Sequence, residues 1–345
     1  MNMIKTFKVK CKIITPLFMG GANQQPELRT QSINGVLRWW FRVLGGSIED
    51  EKRLFGWASE KSNQGLVRIF IKDFDKLQKQ KFSKEFDSLG RVKQGRGINY
   101  LGFSLDQRFR EDQKGKIQRE YLKENQSFNL KISFHPKATD NDIKKFFCAL
   151  WLAFNLGNFG SRARRGFGSV MIEEIFEIIK ENDTQKEKNI TNNCFGLDFI
   201  PNSELKEWIN KNLQEIQKVL NPKPRDDIPY VFNNFEIYLF NQDNNWENLL
   251  NKAGEEYKNF RRTKRLDDRI VFGLPIVGDR KYRNLRRASL LIFKVMKVIS
   301  DYVLLFVVSK PNDNHKFKFH PEIQNVKWNL LSDFVKNKTK TKIFP

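Results

Sequence analysis

The chain has 345 residues, with 62 Lys and Arg against 40 Asp and Glu, and a formal net charge of +22. A hydrophobic fraction of 39% is enough for a packed core, which excludes a disordered chain. No apolar run approaches the roughly 18 residues of a membrane helix, and the alternating N-terminus is unlike a signal peptide. The three dispersed cysteines, Cys11, Cys148 and Cys194, predict neither a disulfide framework nor a zinc site. We therefore expect a cytoplasmic protein with no membrane partner.

The positive charge is concentrated in parts of the chain. Three arginines lie at 162–165 and eight at 261–287, and residues 258–297 carry 13 positive and 3 negative side chains. A compositional bias toward lysine would spread evenly along the chain. Focused arginine instead favours a surface that binds a polyanion, above all nucleic acid.

Alternating strand and helix patterns predict an α+β domain over residues 1–180. The order is a strand at 3–14, a helix from its N-cap Ser32 to Gly45, strands at 67–71 and 128–134, a helix from its N-cap Thr139 to Gly157, and a strand at 169–179. This βαββαβ order is typical of a ferredoxin-like (RRM-like) fold, an antiparallel sheet with helices on one face. The polar, aperiodic residues at about 75–125 predict an insertion with one apolar island around Tyr100 to Leu105.

The second half gives a less regular pattern. Residues 181–195 are charged and almost free of apolar residues, which predicts a linker. The patterns then predict helices at 202–220, 246–257 and 321–335, strands at 231–240, 290–299 and 302–309, and a lysine-rich tail. A second, decorated ferredoxin-like domain over 196–345 agrees with this order.

The strongest local motif is the Gly/Arg loop, residues 157–169, with the sequence GNFGSRARRGFGS. Its glycines permit close approach of the backbone, its N–H groups can bind phosphate oxygens, and its arginines can form bidentate phosphate contacts. The alternative is a solvated basic turn. The loop follows a helix and precedes a strand, whereas nucleotide-binding fingerprints open a helix, so it is not one of them.

These motifs together resemble the RAMP superfamily, the repeat-associated RNA-binding proteins of CRISPR systems, whose hallmark is a Gly/Arg loop before the fourth strand of a ferredoxin-like unit. Within it, the chain is similar to the first RAMP subunit of type III-B (Cmr) effector complexes. The similar segments are ITPLFMGGA at 14–22, ELR at 27–29, SINGVLRWWFR at 32–42, the loop itself, FGLP at 272–275 and RRAS at 286–289. The chain departs from the family pattern at Leu290, where we expect proline.

The resemblance implies two ferredoxin-like RAMP domains and a non-catalytic RNA-binding subunit with no cofactor or metal. It would hold the 3′ part of the guide RNA and the paired 5′ part of the target RNA for antiviral defence. Its partners would be the guide (cr)RNA, the single-stranded target RNA, and the other RAMP, large and small subunits of the ribonucleoprotein.

The predicted RNA contacts lie where arginines cluster and where the resemblance places RNA: the first helix, the Gly/Arg loop and their second-domain counterpart. They are Arg29, Ser32, Arg38, Arg42, Gly160, Ser161, Arg162, Arg164, Arg165, Gly166, Arg261, Arg262, Arg265, Arg283, Arg286 and Arg287. For Arg38 and Arg42, ion pairs on the helix surface or between domains are an equally good alternative. The helical spacing of Trp39, Trp40 and Trp151 predicts core positions.

Two other functions stay open at this point. Some RAMP proteins cleave guide RNA with a histidine near the Gly-rich loop, but His135, His315 and His320 lie outside every similar segment. One alternative is therefore a metal-independent endoribonuclease that processes guide RNA. The other is a structural assembly subunit whose arginines meet acidic neighbouring proteins.

Overall fold

The structure is a computed structural model that describes residues 4–21, 25–58, 64–81, 97–103, 105, 120–181, 184–219, 228, 230–273, 288–309, 326–339 and 341–345. The last three predicted contacts, Arg283, Arg286 and Arg287, lie outside the described residues, as do His315 and His320. None of the helices described is long and apolar enough to cross a membrane.

The first domain is built on an antiparallel sheet with the strand order β2–β5–β1–β6–β7. Its elements are β1 (Thr6–Ile13), α1 (Thr30–Val43), α2 (Ile48–Phe55), β2 (Val67–Lys72), β3 (Lys79–Lys81), α3 (Gly97–Leu101), β4 (Glu120–Leu122), β5 (Ser127–Phe134), α4 (Asp140–Asn155), β6 (Val170–Glu181) and β7 (Thr184–Asn189). The first four strands in the sheet order, with α1 after β1 and α4 after β5, give the predicted ferredoxin-like arrangement. Strands β3 and β4 pair with each other inside the predicted insertion.

The two faces of β1 follow from its alternating sequence. Phe7, Val9 and Cys11 point into the core and are fully buried. The lysines between them lie on the other face, where Lys8 pairs with Glu187 at 3.0 Å and Lys10 with Glu174 at 3.1 Å. The outer face of this strand is therefore polar, as predicted, and carries cross-strand ion pairs.

The second domain repeats the fold with the sheet order β11–β8–β10–β9. Its elements are α5 (Leu205–Val219), α6 (Val231–Asn234), β8 (Phe235–Asp243), α7 (Trp246–Arg262), β9 (Leu291–Val298), β10 (Asp301–Ser309), α8 (Asn329–Lys338) and β11 (Thr341–Phe344), with a 3₁₀ turn at Asp267–Phe272. The predicted hairpin joins β9 and β10. The prediction of two ferredoxin-like domains is therefore confirmed.

Strands β9 and β10 of the second sheet are buried on both faces. Every residue from Leu291 to Met296 of β9 and from Tyr302 to Ser309 of β10 is buried. Helices α7 and α8 pack against β10, and the side chains of Trp40 in α1 and Phe235 in β8 meet with ring centroids 5.9 Å apart. The second sheet thus lies between its own helices and the first domain, which explains its continuous apolar strands.

Several predicted boundaries are wrong. Ser32 is not the N-cap of α1: the helix begins at Thr30, and the Ser32 N–H donates to Arg29 O at 3.1 Å, inside the first turn. Residues 184–189 of the predicted linker form β7, because a hairpin pairs its backbone with β6 and needs no apolar side chains. The lysine-rich tail forms β11, which buries Ile343. Residues 231–234 are helical, so β8 begins at Phe235. The domain boundary itself stays a prediction.

The predicted N-cap of the second long helix, Thr139, is confirmed. The Thr139 hydroxyl accepts from the Asp142 N–H at 3.1 Å, and the Asp142 carboxylate accepts from the Thr139 N–H at 2.8 Å, a complete capping box. Arg53 of α2 adds a donor to the same carboxylate at 3.0 Å. Burial would raise the pKa of Asp142, but the hydrogen bonds from Arg53 and Thr139 outweigh it and hold this pKa below its ordinary value.

We expect Asp142→Asn to lower the free energy of unfolding at neutral pH by about 1–3 kcal/mol, because the Arg53 guanidinium and the cap lose their charged acceptor. A carboxyl with a lowered folded pKa stabilises above its unfolded pKa of about 3.9 and loses that contribution as pH falls through the folded pKa. Urea titrations should therefore show that the difference in the free energy of unfolding between wild type and variant disappears below about pH 4. A difference that does not depend on pH would contradict this assignment.

Candidate nucleic-acid interface

The Gly/Arg loop connects α4 to β6 and lies against β9 of the second domain. Gly160, Gly166 and Gly168 all have positive φ angles, of 78°, 86° and 68°. A Cβ at Gly168 would overlap the carbonyl oxygen of Phe159, so this close turn requires glycine. Next to Gly160, the Ser161 N–H donates to Phe18 O at 2.8 Å, which fixes the loop on the first domain.

Buried hydrogen bonds join the loop to the second domain. The Asn158 amide donates to Ala163 O at 2.6 Å and to Phe293 O at 2.8 Å. The Lys294 amine donates to the carbonyl oxygens of Gly157 at 2.9 Å and Val170 at 3.1 Å, at the two ends of the loop. Lys294 is fully buried, and this burial lowers its pKa well below the ordinary range. The loop is therefore part of the interface between the domains.

Arg165 points into this interface. Its guanidinium lies 4.6 Å from the ring centroid of Tyr257 and donates to Phe272 O at 2.7 Å. Burial lowers the pKa of Arg165. Gly166 is also buried here, since a Cβ would overlap the side chain of Leu250. Arg165, which is part-buried, and Gly166, which is buried, are both predicted RNA contacts, and both are engaged in contacts within the protein.

Arg261 is engaged in the same way at the end of α7. Its guanidinium donates to the Tyr100 hydroxyl of α3 at 2.7 Å and lies 5.4 Å from the ring centroid of Tyr257. Beside it, a Cβ on either Gly97 or Gly254 would overlap the other helix, so α3 and α7 cross in direct backbone contact. Arg261 thus fixes the apolar island of the insertion to the second domain.

Arg38 and Arg42 form the ion pairs that the sequence left as an alternative. Their Nε atoms lie 2.9 Å and 3.3 Å from the two carboxylate oxygens of Glu51 in α2, whose side chain is only 6% exposed. Both arginines are part-buried in these pairs. They fix α2 to α1 and neutralise a buried carboxylate.

Arg164 turns toward α1. Its guanidinium lies 4.6 Å from the ring centroid of Trp39, which is partly exposed. Burial lowers the pKa of Arg164 to about 10, and its Nη1 is buried. Together with Ser32 at the start of α1, these side chains line a cavity of about 270 Å³. The structure thus brings together two motifs, the first helix and the Gly/Arg loop, that were separately predicted from the sequence to contact RNA.

Other predicted contacts lie at the surface around this meeting point. Arg29 and Ser32 are exposed at the start of α1, and Arg262 and Arg265 are exposed at the end of α7. Arg162 donates to the carbonyl oxygen of Phe103, whose side chain is 48% exposed just after α3. The contacts Arg162–Phe103 and Tyr100–Arg261 therefore connect the loop, through α3, with the end of α7.

Two residues of this site, Trp39 and Lys294, were not among the site residues predicted from the sequence. Trp40 and Trp151 are buried, as predicted, but Trp39 is a cavity wall and not a core residue. Its position next to Arg38 on a helix gives no sign of this. Lys294 is the second, and a lone lysine between Phe293 and Val295 in a predicted strand was the available signal.

Of the three histidines, His135 lies in the described part of the chain. His135 follows β5, and its ring Nδ1 accepts from the Lys137 N–H at 3.1 Å. Within the described ranges, no group of three or more His, Cys, Asp or Glu side chains is arranged to hold a metal ion.

Comparison with known proteins assigns this chain to a family. The RAMP superfamily matches residues 10–171. The Cmr subunit Cmr1-1 of the Pyrococcus furiosus CRISPR system is 28% identical over 96% of this chain and 94% of its own length. Subunit Cmr1-2 of the same organism is 33% identical over 48% of this chain and 94% of its own length. The chain belongs to the RAMP superfamily and, within it, to the family of Cmr1 subunits.

Solved structures show the same fold. The crystal structure of apo Cmr1 from Pyrococcus furiosus superposes with a TM-score of 0.66 at 23% identity, over 98% of both chains. A chain of a cryo-EM structure of the type III-B Cmr-beta complex bound to cognate target RNA superposes with a TM-score of 0.54 at 16% identity, over 89% of this chain and 94% of that one.

We expect Arg165→Lys to lower the melting temperature by a few degrees. Lysine keeps the charge but loses the planar group that stacks on Tyr257 and bonds Phe272 O, and a loss of about 1 kcal/mol shifts the melting of a domain this large by a few degrees. RNA affinity, measured where both proteins are folded, should not change. Arg262→Lys is the matched control at an exposed position. An unchanged melting temperature with weaker RNA binding would show that Arg165 reaches RNA.

Burial of the Lys294 amine predicts a second dependence of the free energy of unfolding on pH. The unfolded chain keeps this proton up to about pH 10.4, whereas the folded chain releases it at lower pH. Between the two pKa values the free energy of unfolding should therefore rise with pH, by at most about 1.4 kcal/mol per unit. Lys294→Met should remove this rise in alkaline urea titrations, and Lys336→Met, an exposed control, should retain it. Parallel curves for wild type and Lys294→Met would refute the assignment.

Proposed function

We propose that the protein is a non-catalytic RNA-binding subunit of a type III-B CRISPR effector complex, acting in the cytoplasm in antiviral defence. It holds the 3′ part of the guide RNA and the paired 5′ part of the target RNA. Its partners are these two RNAs and the other RAMP, large and small subunits of the complex. It requires no cofactor.

The observation that carries this proposal is the meeting of α1 and the Gly/Arg loop at one basic surface, where Arg164 covers Trp39. We define the RNA surface as the predicted contacts that face outward or line the cavity: Arg29, Ser32, Gly160, Arg162, Arg164, Arg262 and Arg265. Membership of the Cmr1 family and the net charge of +22 support the same function.

The chemistry of this surface suits a phosphate backbone. Helix α1 has no side-chain cap on its first turn, so backbone N–H groups and the positive end of the helix dipole are available beside exposed Ser32 and Arg29. Such contacts position RNA without reading its sequence. In an RNA-guided complex, base pairing between guide and target supplies the specificity.

We expect the purified full-length chain to bind single-stranded RNA with an affinity that falls steeply with salt. Each phosphate contact removed should reduce the slope of log K against log salt by about 0.7. Arg29→Ala and the double variant Arg262→Ala/Arg265→Ala should both show smaller slopes in fluorescence anisotropy. Arg68→Ala removes an exposed arginine from β2, at the far edge of the first sheet, and should retain the wild-type slope. Equal slopes in all four proteins would contradict the assigned surface.

The same RNA, run on a denaturing gel, separates the alternatives. Retention with intact RNA supports the non-catalytic subunit. Discrete cleavage that histidine substitution abolishes would establish the guide-processing endoribonuclease instead. If the isolated chain does not bind RNA at any salt concentration, the structural assembly subunit becomes the better description.

A further inference from the structure

Phe103, just after α3, differs from the other large apolar side chains of the predicted insertion. Ile98, Leu101 and Leu105 on either side of it are buried in the core. The side chain of Phe103 is instead 48% exposed, and it is the one large hydrophobic side chain described within 75–125 that is exposed. Half of an aromatic ring is therefore accessible on this part of the surface.

The backbone on both sides of this ring is fixed. The Gly102 N–H donates to Ile98 O at 2.9 Å, and the Leu105 N–H donates to Gly102 O at 2.8 Å. Helix α3 itself crosses α7 in direct backbone contact. The ring of Phe103 is thus carried by a rigid segment, which lowers the entropic cost of ordering it when a ligand binds.

Arg162 of the Gly/Arg loop contacts the same residue. Its guanidinium donates to the carbonyl oxygen of Phe103. The backbone of Arg162 has a φ of 60°, in the left-handed region that few residues other than glycine adopt. Such conformations persist where surrounding contacts hold them, and they cluster at binding sites. The loop therefore places a guanidinium of the RNA surface against the residue that carries the exposed ring.

The end of α7 provides a second group of arginines joined to α3. Arg261 donates to the hydroxyl of Tyr100, three residues before Phe103, at 2.7 Å. Arg262 and Arg265 follow it, are exposed, and form no ion pair with any carboxylate of the described residues. Their charges are available to a polyanion. The exposed ring is thus linked to arginines of both the Gly/Arg loop and α7.

We propose that Phe103 is a stacking platform for one base of single-stranded RNA whose phosphates contact the RNA surface. The arginines favour a polyanion, and in single-stranded RNA every phosphate is joined to a nucleotide whose base has an aromatic face. One ligand therefore satisfies both the guanidinium groups and the ring. Stacking accepts any base, which suits a subunit that leaves sequence recognition to base pairing.

This inference rests on the proposed function and adds to the RNA surface a residue that its definition does not include. Its test compares two proteins on two labelled oligomers of equal length. One oligomer is single-stranded RNA, and in the other every nucleotide is abasic, so that all phosphates remain. By fluorescence anisotropy, Phe103→Ala should bind the RNA with bases about ten-fold more weakly than wild type, within the range measured for stacking on an aromatic ring. On the abasic oligomer the two proteins should bind equally.

Two further variants serve as controls. Phe70→Ala is matched, because Phe70 is also 48% exposed but lies on β2, and it should bind both oligomers as wild type does. Phe103→Trp keeps an aromatic face and should retain the wild-type affinity. All four proteins should show the same salt slope, because none loses a phosphate contact. Their melting curves identify the temperature range in which every protein is folded, and binding is compared there.

Each other outcome overturns a defined part of the proposal. Salt-dependent binding of the RNA with equal affinity by wild type and Phe103→Ala would overturn the stacking platform but leave the proposed function intact. An equal loss by Phe103→Ala on both oligomers would show that Phe103 acts on backbone contacts through Arg162, and not by stacking. Failure of the wild-type chain to bind either oligomer would overturn the platform and the proposed function together.

Discussion

The hydrogen bonds between the Gly/Arg loop and strand β9 are the constraint on which the rest of the structure depends. Lys294 reaches both ends of the loop, and Asn158 bonds the strand from the loop side. These groups are buried where the two domains meet, so a shift of one domain would leave several of them without partners, at about 1–3 kcal/mol each. The loop is therefore held in one conformation, and so is every side chain that it presents to α1.

This constraint explains how an arginine of a basic loop can point into the interface between two domains. A guanidinium is weakly hydrated and planar, so aromatic rings and carbonyl oxygens compensate for much of its burial. Arg165 has such an environment in Tyr257 and Phe272 O. The next residue along the chain, Arg164, points instead toward α1 and Trp39. One turn thus directs neighbouring arginines to different partners, Arg165 to Tyr257 in the domain interface and Arg164 to Trp39 of α1.

The sequence predicted the fold where side-chain patterns dictate it. Alternation in β1 and the capping box at Thr139 are local signals, and both are present in the structure. The errors arose where backbone pairing determines whether a segment forms a strand. Thr184–Asn189 joins the sheet through a hairpin with exposed side chains, and β11 is placed by its pairing with β8. The N-cap of α1 was wrongly predicted at Ser32, because a good N-cap residue also fits the first turn when an earlier residue begins the helix.

The residue types of the candidate site could be predicted from the sequence, but the direction in which each side chain points could not. Arginine clusters identify segments with an electrostatic role, yet nothing local to Arg164, Arg165 and Arg261 shows which of them turns inward. For Arg165 that depends on Tyr257 and Phe293, which lie more than 90 residues further along the chain. Open space is still harder to predict, because it is defined by atoms that are absent. Gly35 has the same letter as the glycines of tight turns, and only the folded structure shows that a Cβ there would meet no atom within 4 Å outside its own helix and chain neighbours.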